Sequence, residues 1–124
     1  MAQKLTAEQL ARIEYVQGFL RTVDHVAKLV HELDSNRAAK SKVLENICES
    51  IARELAHMRQ RALTANIGTI ADVAGSMSVM AGRGGGIDMK IRGLGDGVNS
   101  LRLQLDQAMK QAMTADKKEP QPPR

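Results

Sequence analysis

Aromatic side chains are nearly missing from this 124-residue chain: it has one tyrosine, Tyr15, one phenylalanine, Phe19, and no tryptophan. β-Sandwiches and barrels draw on aromatic and β-branched residues, so the scarcity argues against an all-β fold. It argues equally against nucleic-acid modules that stack bases on aromatic rings. Cys48 is the only cysteine. An intrachain disulfide framework and a cysteine-built zinc cage are therefore excluded. Proline occurs only at positions 120, 122 and 123, so nothing upstream of these forbids long helices. No apolar run approaches the ~18 residues that would mark a membrane span. The polar start, Met1 to Thr6, lacks the apolar stretch of a secretory signal. With one cysteine, this makes a reducing cytoplasm the expected compartment.

What is present points to helices. Hydrophobic residues make up 43% and charged residues 26%, enough to pack one core and too apolar for wholesale disorder. The expected organisation is a single helical domain over residues 1–114, followed by a solvated polar tail over 115–124. Thr6-x-x-Gln9 is a capping-box start. Behind it, Ile13, Val16, Leu20, Val23, Ala27 and Val30 recur at spacings of three and four and share one helix face. Phe19, Val26 and Leu33 widen that face beyond a two-stranded seam. Asp34-Ser35-Asn36 ends the first helix and offers caps to the next. Leu44, Cys48, Ile51, Leu55, Met58 and Ala62 keep the same rhythm. The apolar phase then changes at Leu63, and Leu63, Ile67, Ile70, Ala74 and Met77 form a new stripe. Either the chain breaks near Asn66-Ile67-Gly68, with Thr69 capping a short third helix, or one bent helix runs over 37–81. The break is the preferred reading.

The segment Ala81-Gly82-Arg83-Gly84-Gly85-Gly86 is the strongest interruption. Beyond it, Ile87, Ile91, Leu94, Val98, Leu101, Leu105, Ala108 and Ala112 repeat without a fault, straight across Gly93, Gly95 and Gly97. Each helical glycine costs about 1 kcal/mol, so a reason to keep them is needed. Gly93, Gly97 and Ser100 make one small-residue stripe, and Gly68, Ala71, Gly75, Ser78 and Gly82 make another. Two such stripes would let the last helix and segment 68–82 approach closely. Met77, Met80 and Met89 flank the glycine loop, where flexible thioethers can fill gaps beside glycine or form an adaptable partner-binding surface. The expected fold is an all-α antiparallel up-and-down four-helix bundle, with helices near 7–34, 37–66, 69–82 and 87–114. Gly68, Gly75, Gly93, Gly97, Met77, Met80, Leu101 and Leu105 are its candidate packing and interface residues. The third helix is short and leaves neighbouring seams uncovered, so a homodimer is expected.

Chemistry-bearing motifs are sparse. Gly84 to Ile91 resembles in outline the G-x-G-L-G-L stretch of the histidine-kinase ATP-binding domain. That domain needs a sheet, for which the chain has no strand signal. Gly93-x-Gly95-x-Gly97 lies inside a helical repeat and not after a strand, so it is no dinucleotide loop. Around His57, the positions of His57, Leu63 and Thr64 resemble the phosphoacceptor box of histidine-kinase dimerisation domains. The box's acidic neighbour and proline are missing here. His57 lies off the apolar seam, with Arg53 and Arg61 one turn away on either side. An exposed phosphoacceptor flanked by cations would look like this, and so would a solvated helix face. His25 and His31 are not spaced to share a metal, and no nucleophile, base and orienting group can be read together. No cofactor, metal or small-molecule substrate is expected. The net charge of +4 comes from 18 basic and 14 acidic residues interspersed along the chain, an ordinary mixed surface with at most weak attraction for nucleic acid. The expected function is non-enzymatic, exerted through self-association and protein contacts. Phosphotransfer through His57 and weak nucleic-acid binding are the alternatives.

Overall fold

The structure, a computed structural model, describes residues 5–114; the expected polar tail over 115–124 lies outside them. Four helices account for nearly all of the described chain: α1 (Ala7–Ser35), α2 (Ser41–Thr64), α3 (Gly68–Gly82) and α4 (Ile87–Met113). Among the described residues there is no strand, and no helix is long and apolar enough to cross a membrane.

The helix ends follow from local hydrogen bonding. At the start of α1 the capping box closes both ways: the Gln9 N–H donates to Thr6 Oγ1 at 3.0 Å, and the Thr6 N–H donates to Gln9 Oε1 at 2.8 Å. At its end, Asn36 turns back onto α1 instead of capping α2. Its backbone N–H donates to the Glu32 and Leu33 carbonyls, and its side-chain amide donates to Glu32 O at 2.7 Å. The second helix begins at Ser41, later than the expected 37, with Lys40 as an N-cap that makes no side-chain bond. Arg37 is held in the intervening turn by Asp34, at 2.7 Å, and by Asp88 of α4.

The chain breaks between α2 and α3, and the break is a Schellman motif. Asn66 takes a left-handed conformation, φ 63°. The Ile67 N–H reaches back to Ala62 O at 2.9 Å, and the Asn66 N–H to Leu63 O at 3.1 Å. Ile67 and Ala62 are both buried, which supplies the apolar contact that accompanies this motif. Ile67, and not Thr69, occupies the N-cap of α3. Because the corner redirects the chain here, Leu63 does not begin a new buried stripe. It is 48% exposed, and the seam passes from Ala62 to Ile67 and Ile70. Between α3 and α4, Gly85 adopts φ 132°, a backbone that a side chain would strain.

Each helix packs against two others: α1 against α2 and α4, and α3 against α2 and α4. The diagonal pairs, α1 with α3 and α2 with α4, bring no two Cα atoms within 8 Å of each other. Four helices thus surround one core, built from Val16, Phe19, Val23, Val26, Leu33, Ile51, Leu55, Met58, Ile70, Ala74, Met77, Leu94, Leu101 and Leu105. Cys48 joins it as a small apolar group. Ile13, Leu20, Ala27, Leu44 and Ile91, which share the repeat, are only half-buried; on α1 the fully buried line runs through Val16, Phe19, Val23, Val26 and Leu33.

Leu101 is fully buried while Leu103, two residues on, is 63% exposed. Leu101→Asp places an unpaired carboxylate in hydrocarbon and is expected to cost more than about 4 kcal/mol. Thermal unfolding should then move down by ~15 °C or more, whereas Leu103→Asp should change Tm little; equal effects would refute the core register. At the corner, Asn66→Ala is expected to lose about 1 kcal/mol in urea unfolding while Asn66→Gly loses none. Equal stabilities for the two would refute the left-handed corner.

Candidate functional site

Cross-helix contacts give the helices their level relative to one another. Gln9 of α1 donates its side-chain amide to Ala112 O of α4 at 3.2 Å, Arg102 pairs with Asp24 at 3.0 Å, and Arg37 pairs with Asp88. Between α1 and α2, His25 meets Glu54 at 3.5 Å and Arg61 reaches the backbone at Gly18. The last turn of α2 therefore stands level with residues 15–18 of α1. The first two turns of α1 run on past it. They are accompanied there by the last turns of α4, since α3 starts only at Gly68 and lies alongside the earlier half of α4 through Met80 and Met77. No residue from Ala7 to Tyr15 is buried. Leu10 is 51% exposed and Met113 57%, and Ile13 and Met109 are half-buried beside them. The α1–α4 pair therefore projects as a two-helix end with an incompletely covered apolar face.

The glycines of α4 serve the contact with α3, in a different way from two stripes of small residues meeting. A Cβ at Gly97 would stand 2.6 Å from Met77 Sδ and 2.7 Å from its Cγ; one at Gly93 would stand 2.5 Å from Met80 Sδ. Two methionines of α3 thus seat in two holes that glycine leaves in α4. Two small residues of α3 face α2 instead: Ser78 Oγ donates to Ala52 O at 3.0 Å, and Gly75 lies under Arg59, whose Cδ would be 3.0 Å from a Cβ there. Gly68 and Gly82 face open space, with nothing within 4 Å. Leu101 and Leu105 continue the α4 seam into the core. The hole-and-knob arrangement was not legible from the stripes, because glycine spacing shows a gap but not what fills it.

The three histidines and the cysteine stand at separate places along α1 and α2. His57, Arg53 and Arg61 are all exposed on α2. Arg61 is turned towards α1, its guanidinium 5.9 Å from the Phe19 ring centroid, and His57 makes no hydrogen bond among the described residues. His25 and His31 are exposed on α1. No three His, Cys, Asp or Glu side chains gather to hold a metal among the described residues. Burial pushes the Cys48 thiol above its ordinary range, opposed by the nearby Lys90 ammonium, so it stays a neutral, weakly nucleophilic group. One feature that sequence spacing did not suggest is the meeting of Arg21 and Arg61 over Gly18. The two lie on different helices, and only the register of α1 against α2 joins them.

The chain matches no known family model, and neither a curated protein nor a solved structure matches it.

The α3–α4 seam is open to a paired substitution. Gly95 has nothing within 4 Å of its absent Cβ, so Gly95→Ala should gain about 1 kcal/mol from helix propensity. Gly97→Ala gains the same propensity but must displace Met77, which is 2% exposed, so it should be neutral or destabilising. Chemical denaturation of both variants reads the difference; equal gains would remove the methionine from its hole.

Proposed function

We propose that this protein is a non-enzymatic, antiparallel up-and-down four-helix bundle that acts through self-association and protein contacts, and that it forms a homodimer. The contacts of Gln9 with Ala112, Asp24 with Arg102 and Arg37 with Asp88 support the antiparallel reading of α1 and α4. Met80 over Gly93 and Met77 over Gly97 support it for α3 and α4. The observation that carries self-association is the projecting α1–α4 end. Four apolar side chains, Leu10, Ile13, Met109 and Met113, are left partly uncovered where α2 and α3 have stopped. Two helices alone cannot enclose such a face; two copies meeting end to end would complete a four-helix core there. A cytoplasmic setting suits a chain whose one cysteine is free and buried.

Light scattering after gel filtration tests the proposal. Twice the chain mass is expected at ~10 μM, an ordinary concentration for a specific interface. Leu10→Glu combined with Met113→Glu should return the single-chain mass with the helical circular-dichroism signal unchanged. A single-chain mass for the unaltered protein at ~100 μM would overturn self-association. An acid-labile phosphate lost in His57→Ala would instead favour phosphotransfer, and steeply salt-dependent retention on DNA would favour nucleic-acid binding.

A further inference from the structure

Gly18 is buried on the face that α1 turns towards α2. The space its missing side chain leaves is occupied by charge. Arg61 of α2 brings Nη2 to 3.5 Å from where a Cβ would stand, and Arg21, one turn further along α1, brings Nη2 to 3.9 Å. Two guanidinium groups from two helices therefore converge on one point. Neither has an ion-pair partner among the described residues, although Arg37 has two and Arg102 has one. The Phe19 ring lies beneath Arg61, with its centroid 5.9 Å from Cζ, and a guanidinium stacked in this way keeps its N–H groups free at the edge.

The convergence opens on a groove of about 650 Å³ between α1 and α2, lined by Tyr15, Gln17 and Thr64, with Glu14 also on its wall. The Tyr15 hydroxyl and the Gln17 amide make no hydrogen bond among the described residues, so both are available as neutral donors. Like charges held together without a carboxylate between them repel. An oxyanion placed between them converts that repulsion into charge-assisted hydrogen bonds, and the planar fork of arginine suits phosphate oxygens in pairs. A monodentate halide would use little of this donor set; a tetrahedral dianion with several oxygens would use most of it. Glu14 opposes any anion there and so limits affinity.

We propose that the Arg21–Arg61 groove is a binding site for a phosphate group, carried either by inorganic phosphate or by a small organic phosphate ester. The site is independent of self-association, since it requires only α1 and α2 of one copy. Amide and arginine side-chain NMR on the full chain tests it, with inorganic phosphate and glycerol phosphate as probes and sodium chloride at matched ionic strength as reference. Saturable shifts centred on Gly18, Arg21 and Arg61 are expected. Arg21→Gln and Arg61→Gln should each weaken binding by about tenfold or more. Arg92→Gln, on α4 and outside the groove, should leave it unchanged, and Glu14→Gln should tighten it. Tighter binding of glycerol phosphate identifies the ester as the ligand, and equal binding identifies the ion. Should Arg61→Gln lose the dispersed spectrum of a folded chain, Arg21→Gln and Glu14→Gln still decide. Shifts reproduced by chloride, or an equal loss in Arg92→Gln, would overturn the site.

Discussion

The fold rests on burial of a purely apolar seam. Among the described residues no polar or charged side chain is buried, and no buried side-chain polar atom lacks a partner. Burial of this kind is strong and non-directional, worth roughly 25 cal/mol per Å², and it does not by itself choose one sliding register of helix against helix. A bundle held only by a greasy stripe could shift by a turn at little cost. Register here has to come from shape and from the surface.

Both sources can be named. Met77 in the Gly97 hole and Met80 in the Gly93 hole form one stepped contact between α3 and α4, and a one-turn slide would leave one of the two holes empty. Around the outside, Gln9 with Ala112, Asp24 with Arg102 and Arg37 with Asp88 mark three levels along α1 and α4. Exposed pairs of this kind contribute at most about 1 kcal/mol each, so they select a register more than they hold the structure. The glycines that weaken α4 as an isolated helix are what give its contact with α3 a defined depth.

Much of this was legible in the residues. Period and phase placed all four helices, because every one buries a face and burial imposes the three-four spacing. The Thr6–Gln9 box marked the start of α1, and the glycine interruption marked the end of α3 and the start of α4. The other ends turned on the conformation and partners of single residues, which spacing does not reveal. Arg37 lies in the turn before α2, paired with Asp34 and with Asp88 of α4. Asn36 looked like a cap for the next helix but bonds back to Glu32. Asn66 carries the break by taking a left-handed backbone, which asparagine permits but does not announce. At the candidate sites, the exposure of His57 could be read from the seam, whereas the turning of Arg61 onto Phe19 could not. Nor could the uncovered α1–α4 end, which exists only because α2 and α3 turn back at a common level.

The Gln9 amide on the Ala112 carbonyl has a topological consequence. It brings the two extremities of the described chain side by side, so α1 and α4 close the molecule into a ring of four rods. In a ring the covalent break is a matter of convenience. The chain could be sealed across that pair and opened between Arg83 and Gly86, where no helix is cut, with every interhelical contact retained. The order in which the rods are made would change while their arrangement would not.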